Sequence, residues 1–115
     1  MGVKKITTKS KTEGDVLILY LKGEISSTSL EDFKGVIKTT LEQGHRRLIL
    51  SLIGIDYIDS SGIGAIMGTL LSVKRVGGDL KIADAEKFVS QLFHILEIEK
   101  VIPVFPNVEA ALAEG

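Results

Sequence analysis

The sequence predicts an α/β domain: a mixed, mostly parallel β-sheet with an N-terminal β-hairpin, flanked by four helices. Three observations predict it. Short β-branched and aliphatic runs alternate with segments of helical apolar spacing, which is the pattern of a largely parallel sheet. Two of the runs, Val16–Leu21 and Arg47–Ile53, are nearly continuous in apolar residues, as strands covered on both faces are. The chain is 115 residues long, with no internal repeat, low-complexity block or linker, so residues 1–115 read as a single domain.

The elements follow in order. Residues Lys4 to Lys11 mix Ile and Thr with Lys and read as an edge strand, its lysines discouraging strand-to-strand aggregation. Thr12-Glu13-Gly14-Asp15 is a turn signal, and Val16–Leu21, bounded by Gly23, is the buried strand paired to the first. Thr28-x-x-Glu31 has the pattern of a capping box. Leu30, Phe33, Ile37 and Leu41 then recur at helical spacing, and Gly44 supplies the stop. Arg47–Ile53 is the next strand, followed by a polar loop. In the second helix, Ile63, Ile66, Met67, Leu70 and Leu71 form one apolar stripe; Lys74 and Arg75 suit its negative end, and Gly77-Gly78 break it. Leu80–Ala83 reads as a short strand. Asp84 is placed to cap a third helix with an inner face of Ala85, Phe88, Val89, Leu92 and Leu96. Val101–Phe105 is apolar, but Pro103 confines it to a sheet edge. Asn107 caps a short last helix through Leu112.

Composition removes several function classes. Lys+Arg 14 against Asp+Glu 15 gives a formal charge of −1, without the basic excess that phosphate contacts demand of nucleic-acid-binding domains. Aromatics are only 5%, too few for a base-stacking platform. Cys is absent, which removes disulfides, thiolate metal sites and Cys nucleophiles and suits a reducing cytoplasm. His45 and His94 lie far apart, so no metal site is expected. Mean hydropathy is high at +0.27, yet the longest apolar run, Val16–Leu21, is far short of the ~20 residues of a membrane span. The first residues are polar and rich in Lys, so no secretory signal is expected.

One stretch concentrates the chemistry. From Leu48 to Val73 the only formal charges are Asp56 and Asp59, and Asp59 precedes Ser60-Ser61-Gly62. Helix capping by Asp59, Ser60 and Ser61 explains this segment without any function. A second reading starts from the same place. A helix N-terminus can hold an anion, and a phosphate added to Ser60 or Ser61 brings about −1.5 to −2 charges. Asp56 and Asp59 oppose that charge, as does a partner that docks on a neutral surface. Behind this loop, Gly64, Ala65, Gly68, Thr69 and Ser72 leave one face of the second helix bare, at a cost of roughly 1 kcal/mol per Gly. Such a face admits another backbone closely.

Other motifs fail. No Lys follows a Gly in the P-loop frame, and a nucleophile elbow around Ser60 needs Gly where Ile58 stands. Gly62-x-Gly64-x-x-x-Gly68 is one residue off the dinucleotide fingerprint and follows a polar loop rather than a strand. Ser60, Asp84 and His94 occur in hydrolase chain order, but His94, beside Phe93, reads as surface or boundary packing.

Leu21-Lys22-Gly23-Glu24-Ile25, Leu48–Leu52, Asp59-Ser60-Ser61-Gly62-Ile63-Gly64, Gly77-Gly78-Asp79-Leu80 and the segment from Val104 to Leu112 resemble, in order and spacing, a free-standing STAS domain of the bacterial anti-sigma factor antagonist type. The likeness runs from about Val16 to Leu112. It implies a mixed sheet flanked by helices, no cofactor and no catalysis. It also implies that Ser60 is phosphorylated by an anti-sigma factor that is itself an ATP-dependent serine kinase. The unphosphorylated antagonist binds that kinase and frees a sigma factor; phosphorylation blocks binding, and a PP2C-type phosphatase restores it. On this reading Asp59 orients Ser60, Ser61 and Gly62 open the helix, and the Gly64, Gly68 and Thr69 face contacts the kinase. The protein is then cytoplasmic, with no nucleic acid and no membrane span. Ser26 and Ser51 stand where the family carries acidic or amide residues beside the phosphorylatable Ser; the resemblance places Ser26, with Asp59, Ser61 and Gly62, among the partner-binding residues. The alternative is a non-switching scaffold or transporter-associated subunit in which Ser60 is only a cap.

Overall fold

The computed structural model describes residues 5–114. Lys4, placed by sequence in the first strand, and the terminal residues of the predicted domain lie outside them. Five strands form one sheet in the order β1-β2-β3-β4-β5, with β1 (Ile6–Glu13) antiparallel to β2 (Val16–Ile25). The remaining pairs, β2 with β3 (Arg47–Ile58), β3 with β4 (Asp79–Ala83) and β4 with β5 (Val104–Phe105), are parallel. The helices are α1 (Leu30–Glu42), α2 (Ser60–Arg75), α3 (Lys87–Ile95) and α4 (Val108–Ala113), and a 3-10 turn at Ile98–Lys100 follows α3. The predicted class and element order hold, with that turn as the addition.

Alternation along the inner strands divides the core. Leu17, Leu19 and Leu21 of β2 and Leu48, Leu50 and Leu52 of β3 face one side, where Phe33 and Ile37 of α1, Ile66 and Val73 of α2, and Val89 and Phe93 of α3 cover them. Ile18, Ile49 and Ala83 face the other side, where Val108 and Ala111 of α4 close a smaller cluster. The two-faced burial explains why both runs are almost unbroken in apolar residues. A two-residue turn at Gly14-Asp15 joins β1 to β2, with Gly14 at φ +60. Positive φ at the first loop residue is the signature of the hairpin turns that match strand twist. Thr12 and Glu13, read from sequence as turn, pair with Leu17 and Val16 in the ladder.

Several boundaries differ from expectation. β2 runs through Gly23 to Ile25, and β3 runs through the expected polar loop to Ile58, because the two tails pair with each other across register shifts. A strand therefore leads straight into α2, which removes one objection to a dinucleotide site; the glycine spacing still excludes it. The capping box at Thr28 does not form. Ser29 stands at the N-cap of α1 without a side-chain cap bond, and Thr28 and Ser26 turn their hydroxyls to Glu24 instead. Asp84 does not cap α3. It adopts φ +62 and accepts a 2.7 Å hydrogen bond from the buried Ser51 hydroxyl, so the helix starts later, capped by the Glu86 carboxylate on the Val89 N–H. The buried face of α3 is narrower than the expected one. Val89 and Phe93 are buried, whereas Phe88 and Leu96 are exposed. In α2, Leu71 is exposed and Val73 takes its place in the core. β5 is only Val104–Phe105 and lies at the edge, next to Pro103 as expected. Asn107 caps α4 through the Ala110 N–H, also as expected.

Candidate functional site

The site is the junction where β3 enters α2. Asp59 is the N-cap of α2, in extended conformation, and its Oδ1 accepts a 2.9 Å hydrogen bond from the Gly62 N–H. Its Oδ2 accepts a 3.1 Å bond from the Ser27 N–H, 32 residues away in the β2–α1 loop. One carboxylate thus caps a helix and ties a second loop to it. These N–H donors, Gly62 first and Ser27 next, hold the Asp59 carboxyl below its usual pKa of 3.8.

The β2–α1 loop is built from hydroxyls. Ser29 donates its hydroxyl to the Glu24 carbonyl at 2.7 Å and accepts the Ser26 N–H at 2.9 Å. Ser26 donates to the Glu24 carboxylate, which Thr28 also approaches at 3.3 Å. Ser26 and Ser29 are buried, so both serve the loop's own structure. Sequence reading placed Ser26 with the partner-facing residues; its burial and its bond to Glu24 turn it inward. Each of these serines thus meets a carboxylate from elsewhere in the chain, Ser26 that of Glu24 and Ser51 that of Asp84.

Gly62 sets how close the loop end and the helix come. A Cβ on Gly62 would stand 1.9 Å from the Ile25 carbonyl oxygen and 2.7 Å from its carbon. Only glycine permits this approach, at the third position of α2. The close backbone contact expected at Gly64 and Gly68 therefore occurs at Gly62. Gly64 and Gly68 are exposed, with nothing within 4 Å of a Cβ placed there. Thr69, expected on the same bare face, is buried and donates its hydroxyl to the Ala65 carbonyl at 2.9 Å. Gly62 and Thr69 are thus buried, and Thr69 lies at the floor of the groove between the first two helices. Ser61 is half-buried, and Ser60, the first residue of α2, is exposed. His94 is exposed, 3.2 Å from Glu99. Among the described residues, no group of three or more His, Cys, Asp or Glu is placed to hold a metal ion, and no helix is long and apolar enough to cross a membrane.

The clamp predicts a pH effect. Asp59→Asn keeps the shape but has one acceptor oxygen where the clamp uses two, so one of the two N–H groups loses its partner and Tm falls at neutral pH. Because the folded pKa is depressed, the carboxylate's stabilisation is present above the unfolded pKa and is lost as pH falls through the folded value. The Tm gap between wild type and Asp59→Asn therefore narrows below about pH 4. A gap that stays constant from pH 7 to pH 3 would contradict the bridging role.

Comparison with known proteins agrees with this architecture. The family model of the STAS domain matches residues 7–111. The chain is 27% identical over 100 residues to the anti-sigma F factor antagonist of Paenibacillus polymyxa, covering 86% of each. It superposes on an anti-sigma factor antagonist from Mycobacterium paratuberculosis with a TM-score of 0.84, at 19% identity, covering 95% of this chain and 92% of the other. It also superposes on SpoIIAA, a Bacillus cell fate determinant solved in its phosphorylated form, with a TM-score of 0.69 at 18% identity, covering 94% and 98%. These likenesses to solved structures concern the fold. With a family model spanning nearly the whole chain, and with the strand order, the capped α2 junction and its Asp-Ser-Ser-Gly segment all in place, the chain belongs to the STAS domain family.

Proposed function

We propose that this protein is an anti-sigma factor antagonist that works as a phosphorylation switch, with Ser60 as the phosphoacceptor. The observation that carries this reading is a division of labour at the start of α2. Asp59 alone provides the side-chain cap, with both carboxylate oxygens engaged, while Ser60 is exposed. Capping accounts for Asp59, and it leaves the Ser60 hydroxyl free for chemistry. The relatives' names support the same reading, since they include antagonists of sigma F and sigma B anti-sigma factors.

The unphosphorylated chain binds an anti-sigma factor that is a serine kinase, and so releases a sigma factor. The partner meets Ser60, the half-buried Ser61 and the open backbone of Gly64 and Gly68. The chain takes no catalytic part: the Ser60 hydroxyl attacks the γ-phosphorus of the kinase-bound ATP, ADP leaves, and the hydroxyl proton passes to a kinase base. The phosphate then sits where the α2 N–H groups favour it. It also adds about −1.5 to −2 charges within a segment whose only other charges are Asp56 and Asp59. The local fold tolerates the phosphate while a neutral docking surface does not, so the switch needs no refolding. A PP2C-type phosphatase resets it. This function places the protein in the cytoplasm.

Ser60→Asp tests the charge mechanism. Calorimetric titration of the cognate anti-sigma factor kinase is expected to show at least roughly tenfold weaker binding for Ser60→Asp than for wild type. Equal affinity would contradict the switch and favour a constitutive docking role.

A further inference from the structure

We propose that the groove between α1 and α2 binds a long-chain carboxylate, with its alkyl chain along the groove and its anionic head at Lys34 and Lys38. The groove encloses about 760 Å³, within the range of roughly 300–1,000 Å³ typical of small-ligand pockets. It is lined along nearly all of α1, from Leu30 to Glu42, a run of roughly 18 Å at the rise of a helix. Its apolar lining comes from Leu30, Ile37 and Leu41 on one side and Ala65 on the other. Gly64 and Gly68 add depth, because no side chain fills the space in front of them. A long, mostly apolar trough suits an alkyl chain.

Charge on the rim selects the head group. Lys34 and Lys38 are exposed, line the groove and stand one helical turn apart. Like charges at this spacing repel each other. The ion pairs among the described residues involve Lys11, Arg47, His94 and Lys100, so neither lysine has a carboxylate within 4.0 Å. The side chains of α2 that line the groove carry no charge. A carboxylate between the two ammonium groups relieves their repulsion and gains charge-assisted hydrogen bonds. Glu42, the one acidic lining residue, stands one helical turn beyond Lys38 at the C-terminal end of α1 and biases the anion toward Lys34.

This inference does not depend on Ser60 being phosphorylated. The groove nevertheless begins at Ser61, so an occupant lies beside the proposed docking surface and shares Gly64 and Gly68 with it.

Titration of the isotope-labelled protein with dodecanoate, below its micelle concentration, tests the proposal by amide chemical shifts. Saturable shifts along α1 and α2 are expected, with dodecanol binding roughly tenfold more weakly. Lys34→Gln with Lys38→Gln brings dodecanoate down to the level of dodecanol. Gly68→Leu fills the trough from an open position and abolishes binding of both, with circular dichroism and Tm confirming that the variant is folded. No shifts in the groove, equal binding of acid and alcohol, or binding that survives Gly68→Leu would each overturn the proposal. The last result would mean adhesion elsewhere, for example at the exposed Phe88 and Ile95 of α3.

Discussion

Gly62→Ala is expected to destabilise the protein by about 2 kcal/mol or more, although alanine is the better helix former. Helix propensity alone favours Ala by about 1 kcal/mol. Against it, the new methyl stands 1.9 Å from the Ile25 carbonyl oxygen, and a backbone cannot move aside as a flexible side chain can. Overpacking in tight sites costs about 1–3 kcal/mol and sometimes more, and here relief requires prising β2 from α2. The same substitution at Gly64 or Gly68 meets open space and should stabilise by close to 1 kcal/mol. In thermal melts, Gly62→Ala should therefore lower Tm by roughly 10 °C, and Gly64→Ala and Gly68→Ala should each raise it by about 4 °C. Three glycines on one helix thus differ in sign according to what faces them. A Gly62→Ala variant as stable as wild type would refute the close approach on which the junction's geometry rests.

The junction also explains what the sequence could and could not reveal. Asp59 and Ser60 were legible because Asp-Ser-Ser-Gly opens a helix in a stretch otherwise poor in charge. The apolar stripe of α1, the runs in β2 and β3 and the Asn107 cap follow local rules, and all appear in the structure. The missed features depend on contacts distant in sequence. Gly54 and Asp56 break the apolar pattern of β3, and the strand continues through them because the tail of β2, around Lys22 to Ile25, pairs with it. Thr28 and Glu31 have capping-box spacing, but Glu24 competes for the Thr28 hydroxyl. Asp84 has the residue type of a cap, but the buried hydroxyl of Ser51 engages it from 33 residues away. Ser27, whose N–H completes the Asp59 clamp, carried no motif at all; the nearest signal was its place in a run of hydroxyl residues after Glu24. The roles of the glycines were the least legible. Sequence spacing groups Gly62, Gly64 and Gly68 alike, and only the Ile25 carbonyl separates the first from the others.

Ser60→Ala carries the largest functional effect expected, complete loss of phosphate uptake with the fold unchanged. The Ser60 side chain is exposed and the α2 cap belongs to Asp59, so removing the hydroxyl leaves the clamp intact. Stability should stay within about 0.5 kcal/mol of wild type, as for most surface substitutions. Ser61, half-buried on the groove side of the same turn, should not substitute as acceptor. The decisive measurement is intact-mass analysis after incubation with ATP and the cognate anti-sigma factor kinase, run on wild type, Ser60→Ala and Ser61→Ala. One phosphate on wild type and on Ser61→Ala, with none on Ser60→Ala, is the predicted result. A phosphate retained on Ser60→Ala, or none on wild type with an active kinase, would contradict the assignment of Ser60 as the switch.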